Sequence, residues 1–357
     1  MNLLLPFRRR RTSVSRDEAV IFYPSYGYRD NGHWRLVIQG WVYHPRVTLL
    51  GRKPVLGLIR RAMRVERGCA DAFHHRMRQF LVNSSVGRLV SVRTGDFEAQ
   101  VGPSEVAGLI SGELSVPVSQ VRVFREPTTP HVNWAEFQAV LPNGDAREFR
   151  GRAQLLEEQG VSIVSDVDDT LKHSNVPNRR DLFRNTFVRD FVPIRGMPEL
   201  YQMCAQRGAA FHYVSASPWQ LYAPLAEFWR DQGYPQGSFH LKRFRLRETA
   251  RKMRKMSPQK AYKRAAIEPI LNAYPHRQFV LVGDSGEQDP EIYAGLWRER
   301  PQQIAHVFIR TIRGRRQEEE RLNRTFAGCP THVWSFYDEP SEMADELLGA
   351  VEKLLVR

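Results

Sequence analysis

At 357 residues, with 42% hydrophobic and 11% aromatic side chains, the chain is a folded protein too long for one comfortable core, and two domains are expected. Its 53 Lys and Arg against 39 Asp and Glu leave a net charge of +14, which favours a phosphate-bearing partner: nucleic acid, an anionic membrane surface or a phosphorylated substrate. Three distant cysteines, Cys69, Cys204 and Cys329, exclude a disulfide framework and a zinc ligand set and fit a reducing compartment, and no apolar run reaches the ~20 residues that span a bilayer.

Residues 1–16 read as a basic tail. The apolar Leu3, Leu4, Leu5 and Phe7 are too few for a signal-peptide core, and Arg8 to Arg11 stand on its wrong side, so a soluble or surface-bound protein is expected. From Val20 the pattern turns to strands, with Val20–Tyr23 and Trp34–Tyr43 predicted as a hairpin across the Asp30-Asn-Gly turn. Residues 52–82 take helical spacing: Val55, Leu56, Ile59, Ala62 and Met63 form a stripe, and Arg52, Lys53, Arg60, Arg61, Arg64 and Arg67 give a basic face. A helix packed on the core with that face solvated is expected, the alternative being a helix laid on a membrane surface. Strands return at Val90–Arg93, Phe97–Val101, Val121–Phe124, Trp134–Val140 and Glu148–Arg152, an antiparallel sandwich-like or barrel-like arrangement without a catalytic constellation. Residues 17–155 are therefore predicted as a β-rich docking or scaffolding domain.

From residue 156 to residue 357 strand and helix patterns alternate, the sign of an α/β domain with a parallel sheet. The run Val161–Val164 leads straight into Asp166-Val-Asp168-Asp-Thr170, which places two carboxylates at the carboxyl end of a buried strand, where open α/β sheets bind their ligands. A helix over Met197–Gln206 ends at Gly208, a strand Ala210–Ser215 follows, and a helix is expected to open after Ser217-Pro218. Another helix runs from Ser257 or Pro258 to Ala273 and carries Lys263; the strand Gln278–Val282 then enters Gly283-Asp284-Ser-Gly-Glu-Gln-Asp289. Beyond it, Ile304–Arg310 and Thr331–Phe336 read as strands, Arg313–Arg324 as a charged surface loop or helix, and Ser341–Leu355 as a closing amphipathic helix.

Carboxylates at alternate positions approach a site from different directions, so one can attack or bind metal while its neighbour moves a proton. Each group also has a plain structural account: an Asp-rich turn, a strand-end hydroxyl at Ser215, a solvated helix lysine at Lys263, and a turn and an N-cap at Asp284 and Asp289. Their order along the chain distinguishes the two accounts. It resembles the four motifs of the haloacid-dehalogenase superfamily of aspartyl-phosphate phosphatases. More closely, Ser165-Asp-Val-Asp-Asp-Thr-Leu-Lys, Tyr213-Val-Ser-Ala-Ser-Pro-Trp-Gln-Leu-Tyr222 and Phe279-Val-Leu-Val-Gly-Asp-Ser-Gly-Glu-Gln-Asp-Pro-Glu-Ile-Tyr293 look like the actin-patch-associated phosphatidate phosphatase family over roughly residues 160–310. Tyr23-Pro-Ser-Tyr-Gly and Arg78-Gln-Phe-Leu-Val are similar to that family's less specific amino-terminal segment.

The resemblance implies a haloacid-dehalogenase-like Rossmannoid parallel sheet with a minimal cap, preceded by the smaller β-rich domain. It implies magnesium-dependent hydrolysis of phosphatidate to diacylglycerol and phosphate through an aspartyl-phosphate. Asp166 would be the nucleophile, Asp168 the acid and base, and Thr170 a loop-fixing hydroxyl; Ser215 and Lys263 would hold the phosphate, with Lys260 one turn earlier as the alternative lysine. Mg²⁺, a hard cation, would take Asp166, the backbone carbonyl of Asp168, Asp284 and, directly or through water, Asp289.

The short stretches from Asp166 to Ser215 and from Ser215 to Lys263 leave room for little more than a flap, so an open site suited to a headgroup on a large surface is expected. Between Lys242 and Arg264 the basic residues face one acid, Glu248, and each near an anionic surface contributes about 1 kcal/mol. The expected protein is a cytoplasmic phosphatidate phosphatase, peripheral at a membrane, with nucleic acid the less favoured partner. The alternatives are a phosphatase of the same mechanism acting on a nucleic-acid end or phosphoprotein, and a non-catalytic anionic-membrane binder.

Overall fold

The computed structural model describes residues 12–46, 70–242 and 258–355. The start of the basic tail, the stripe Val55–Met63 with its arginines, and residues 243–257 of the basic block lie outside the described residues.

The amino-terminal strands are β1 Thr12–Ser13, β2 Ala19–Tyr23, β3 Ser25–Asp30, β4 His33–His44, β5 Asn83–Ser84, β6 Arg88–Thr94, β7 Phe97–Pro103, β8 Leu109–Pro117, β9 Val123–Glu126, β10 Thr129–Val140 and β11 Arg150–Leu155. They form one sheet in the order β1-β6-β10-β11-β3-β4-β2, with β5 and β8 on β4, β7 on β6 and β9 on β10. Alternation decides which face is buried. Trp34, Leu36, Ile38 and Val42 of β4 enter a core with Val92, Ile110, Leu114 and Phe137, while Arg35 and Gln39 of the same strand are half-buried on the other face.

The two-residue turn Asn31-Gly32, with φ of 48° and 79°, makes the hairpin, but it joins β3 to β4. The expected partner, Val20–Tyr23, pairs antiparallel with the far half of β4. Strand β8 escaped the sequence pattern because Gly112 interrupts its alternation. A Cβ at Gly112 would lie 2.8 Å from the Val101 carbonyl oxygen, so the close approach of β7 and β8 requires glycine there. Within the helical stretch read over 52–82, the described part is α1, Ala70–Leu81.

The second sheet is parallel throughout. It consists of β12 Val161–Asp166, β13 Ala210–Pro218, β14 Ser238–Lys242, β15 Gln278–Asp284, β16 Ile304–Arg310 and β17 Trp334–Tyr337, in the order β14-β13-β12-β15-β16-β17. Helices α2 Arg179–Phe187, α3 Met197–Gln206, α4 Tyr222–Asp231, α5 Pro258–Ala273, α6 Asp289–Glu299, α7 Arg315–Thr325 and α8 Pro340–Leu355 complete this mixed α/β architecture. All six residues of β12 are buried, because both faces of a central parallel strand are covered. The helix expected directly after Ser217-Pro218 starts later: Pro218 is still extended and pairs with Lys242, and one 3₁₀ turn, Trp219–Leu221, precedes α4. Helix α2 had no sequence signal strong enough to separate it from a loop. No described helix is long and apolar enough to cross a membrane.

The two sheets share a core. Tyr26, Val132, Trp134 and Leu156 from the first pack with Val164, Ala210, Ile267 and Tyr274 from the second. Polar groups cross the junction as well: the Tyr274 hydroxyl donates to the Gly27 carbonyl at 2.9 Å, the Phe239 amide to Pro24 at 2.8 Å, and Gln154 Nε2 to Phe211 at 2.9 Å. Here Ser238 Oγ bridges two buried imidazoles, 2.7 Å from His212 Nδ1 and 2.9 Å from His240 Nε2.

Burial disfavours the imidazolium, pushing His240 down to about 4 and His212 well below its ordinary value. Both folded pKa values lie below the unfolded value near 6.5, so these groups contribute full stability above about pH 6.5 and lose it as pH falls towards 4. Between pH 7 and pH 5 the loss through His240 alone is about 2 kcal/mol. Urea unfolding at the two pH values is expected to show a steeper decline for the wild type than for His240→Gln; equal declines would refute the assignment.

Candidate active site at the ends of three parallel strands

Register brings the site together. Asp166 ends β12 opposite Val214 of β13, and Ser165 lies opposite Val282 of β15, so Ser215 and Asp284 emerge on either side of Asp166. After Asp166 the chain turns sharply through Asp169, at φ 59°, whose carboxylate accepts the backbone N–H groups of Ser174, Asn175 and Val176 at 2.7, 2.7 and 2.6 Å. Thr170 Oγ1 donates back to Asp166 Oδ2 at 3.2 Å. This turn aims Asp168 away from Asp166.

Two buried lysines divide the acids. Lys263, reaching in from α5, places Nζ 2.5 Å from Asp166 Oδ1, 2.6 Å from Asp289 Oδ1 and 2.9 Å from Glu287 Oε2. Burial pulls the Lys263 ammonium down, but these three carboxylates raise it further than burial lowers it. Lys172 donates to Asp168 Oδ1 at 2.6 Å and to Ser174 Oγ at 2.5 Å. Asp168 also accepts from Ser174 at 2.7 Å, Ser215 at 2.8 Å and Ser217 at 2.9 Å. Burial would raise Asp168, but the charge of Lys172 and the bonds from Lys172, Ser174 and Ser215 outweigh it and hold the group well below the usual carboxylate range.

The remaining acids behave in the opposite way. Burial first, then mutual repulsion, raises Asp166, Asp284 and Glu287, against the lowering effect of Lys263. Asp284 Oδ1 accepts the Gly286 amide at 2.6 Å, and its buried Oδ2 has no hydrogen-bond partner. Asp289 opens α6, and its Oδ2 accepts the Asp284 amide at 3.3 Å. A Cβ on Gly283 would lie 2.6 Å from that Oδ2, so only glycine lets the acidic loop close on itself.

Among the described residues, the carboxylates Asp166, Asp168, Asp284, Glu287 and Asp289 thus face two ammonium groups. Such an excess of buried negative charge, together with an orphaned carboxylate oxygen, fits a hard divalent cation held by oxygen. Asp166, Glu287 and Asp289 each offer an oxygen within 4.8 Å of the others. The grouping differs from the expected one, since Glu287 joins Asp166 and Asp289 in it and Asp284 does not; the Asp168 carboxylate is taken up by Lys172 and three hydroxyls, which leaves its expected role through the backbone carbonyl untouched.

All seven expected site residues gather at this end of the sheet. Glu287, Lys172, Ser174 and Ser217 were missed. Lys172 stands four positions after Asp168, and Glu287 lies between two acids already chosen, but nothing in their spacing shows which way they point. The side chain of Lys260 lies outside the described residues. The excursion after β12 is a flap over residues 173–193, in keeping with its short span, although Asp166 itself is 1% exposed and lies under Lys263 rather than open to solvent.

Residues 161–311 match the family described as phosphatidate phosphatase APP1, catalytic domain. Phosphatidate phosphatase APP1 of Saccharomyces cerevisiae is 35% identical over 167 residues, covering 44% of this chain and 27% of that protein. An uncharacterized protein of Schizosaccharomyces pombe is 30% identical over 172 residues, 46% of this chain and 27% of its own length. The chain therefore spans about a quarter of the length of these curated relatives. Among solved structures, a Pnkp1/Rnl/Hen1 complex covers 43% of this chain and 46% of its own at 14% identity and a TM-score of 0.31, too slight a likeness to bear on the fold. Over residues 161–311 the chain is thus similar to the phosphatidate phosphatase APP1 catalytic domain.

Proposed function

We propose that this protein hydrolyses phosphatidate to diacylglycerol and phosphate through an aspartyl-phosphate, on a haloacid-dehalogenase-like sheet. One observation carries the reading: within the matched segment 161–311, Asp166, Asp168, Ser215, Lys263, Asp284 and Asp289 converge at the ends of three adjacent parallel strands. Phosphate monoesters hydrolyse very slowly unaided, so a site must neutralise the phosphoryl oxygens and offer a placed nucleophile. Asp166, on the most buried strand, forms the new bond to phosphorus as the ester bond breaks.

Asp168 gives its proton to the departing diacylglycerol alkoxide, then takes one from the water that attacks phosphorus and frees Asp166 with inorganic phosphate. In the present arrangement Asp168 is held as a carboxylate. Its work as an acid therefore begins when Ser215 and Ser217 turn to the phosphoryl oxygens, which removes the Ser215 bond that helps depress its pKa and lets Asp168 take up from solvent the proton it then donates. Lys263 neutralises phosphoryl charge in place of the Asp166 contact it makes here. Magnesium held by Asp166, Asp284 and Asp289, with Glu287, would offset the carboxylate excess and the charge on a phosphoryl oxygen. The net charge of +14 suits an anionic membrane surface, where the protein would be peripheral.

Two outcomes are expected. In mixed micelles containing phosphatidate and magnesium the wild type releases phosphate, and Asp166→Asn loses ~10³-fold or more. Para-nitrophenyl phosphate and a 5′-phosphorylated oligonucleotide serve as comparison substrates, and activity confined to the oligonucleotide would discard the lipid assignment while keeping the nucleophile. Secondly, Glu287→Gln lowers magnesium affinity by ~10-fold or more in calorimetric titration, because one of the clustered oxygens loses its charge; an unchanged affinity would remove Glu287 from the ligand set.

A further inference from the structure

The flap beside the candidate site is held by a residue of the amino-terminal part of the chain. Helix α1 packs Phe73 and Met77 against Val188, just beyond α2, and Phe80 stands edge-on to Phe187 at 5.4 Å. From the same helix Arg76, 7% exposed, donates Nη1 to the Thr186 carbonyl at 3.2 Å and also to the Arg189 carbonyl. Thr186 lies in the last turn of α2, where backbone oxygens lack helical partners and negative dipole charge collects, and Arg189 lies two residues past its end. Among the described residues no carboxylate ion-pairs with Arg76. The carboxylates of Asp190 and Glu227 act on its charge without pairing with it, and the ring of Phe191 lies with its centroid 4.0 Å from the guanidinium carbon.

The same ring also faces the site. Lys172 Nζ lies 5.0 Å from the Phe191 centroid while it donates to Asp168 at 2.6 Å. Backbone pairing closes the base of the flap around this contact: the His173 amide donates to the Val192 carbonyl and the Ile194 amide to the Leu171 carbonyl, each at 2.9 Å. Arg76, Phe191, Lys172 and Asp168 therefore form one continuous line of contact from α1 to the site. The flap between Lys172 and Pro193 has the end of its helix held directly by one buried guanidinium, which meets the base through the Phe191 ring.

We propose that Arg76 is a positioning residue for the phosphatase site, fixing the 172–193 flap through Phe191 so that Lys172 stays against Asp168. Its effect on turnover rests on the phosphatase reading; its effect on the flap does not. Arginine suits this place because its planar fork reaches two carbonyls while its face lies on a ring, which lysine cannot do. A merely structural Arg76 would hold α1 on α2 and leave turnover in the folded protein unchanged.

The test measures kcat, KM and magnesium half-saturation on para-nitrophenyl phosphate for the wild type, Arg76→Ala, Arg76→Lys, Phe191→Leu, Phe191→Tyr and the double variant Arg76→Ala/Phe191→Leu. Hydrogen exchange at the His173 and Ile194 amides is read in parallel. Arg76→Ala and Phe191→Leu are expected to lower kcat at least tenfold with KM and magnesium half-saturation within twofold. Phe191→Tyr, which keeps the ring, stays within threefold of wild type, and the double variant falls no more than threefold below the worse single. Exchange at both amides rises at least tenfold in the two impaired singles. Should Arg76→Ala not fold, Arg76→Lys, which reaches one carbonyl at most, takes its place with the same directions. Losses that multiply, a Phe191→Tyr variant as impaired as Phe191→Leu, or unchanged exchange would each overturn the proposal. A wild type that releases no phosphate defeats the phosphatase reading, and the exchange result then decides the clamp alone.

Discussion

The arrangement depends on a surplus of buried carboxylates that two lysines only partly neutralise. Desolvation makes each such acid costly, and proximity makes each additional one costlier. The two lysines resolve the conflict unevenly. Lys172 and three hydroxyls keep Asp168 ionised, while Asp166, Asp284 and Glu287 have raised pKa values around Lys263. An acid already satisfied beside a second one, Asp166, still short of positive charge is an electrostatic asymmetry in which a group and its neighbour respond to the same ligand in different ways.

That asymmetry survives only because the backbone beneath it is rigid. A fully buried central strand fixes Asp166, and turns pinned by Asp169 and by Gly283 aim the neighbouring acids. The first sheet contributes by sharing the core beneath the second, through Trp134, Tyr26 and the bridged histidines. Helix α1 contributes on the other side, where Arg76 meets the flap. The amino-terminal part of the chain is thus continuous in packing with the site, more than the docking or scaffolding role its strand pattern suggests.

Several features were legible in the residues themselves. The strand Val161–Asp166 announces itself because both its faces are buried and it must read as a near-continuous apolar run, and the carboxylates after it have no place in a core. Alternation exposed most of the first sheet, and helical spacing with Pro258 located α5 and hence Lys263. Local signals of this kind reflect backbone periodicity and solvent preference, which act over a few residues. They failed at β8, where a glycine demanded by the neighbouring strand breaks the alternation, and at α2, a short polar helix capped by Asn178 and packed against α1.

By itself, then, the sequence determined the parallel α/β alternation, the order of the acidic and hydroxyl groups, and the family resemblance that joins them. The tertiary structure alone decided which acid each lysine serves, that Glu287 belongs with Asp166 and Asp289, and that Asp168 is held by Lys172 and three serines. The physical reason is that charge pairing depends on where side chains meet after the chain has folded. Arg76 and Asp168 lie far apart in sequence, yet a single aromatic ring, Phe191, lies against both Arg76 and the lysine that Asp168 binds.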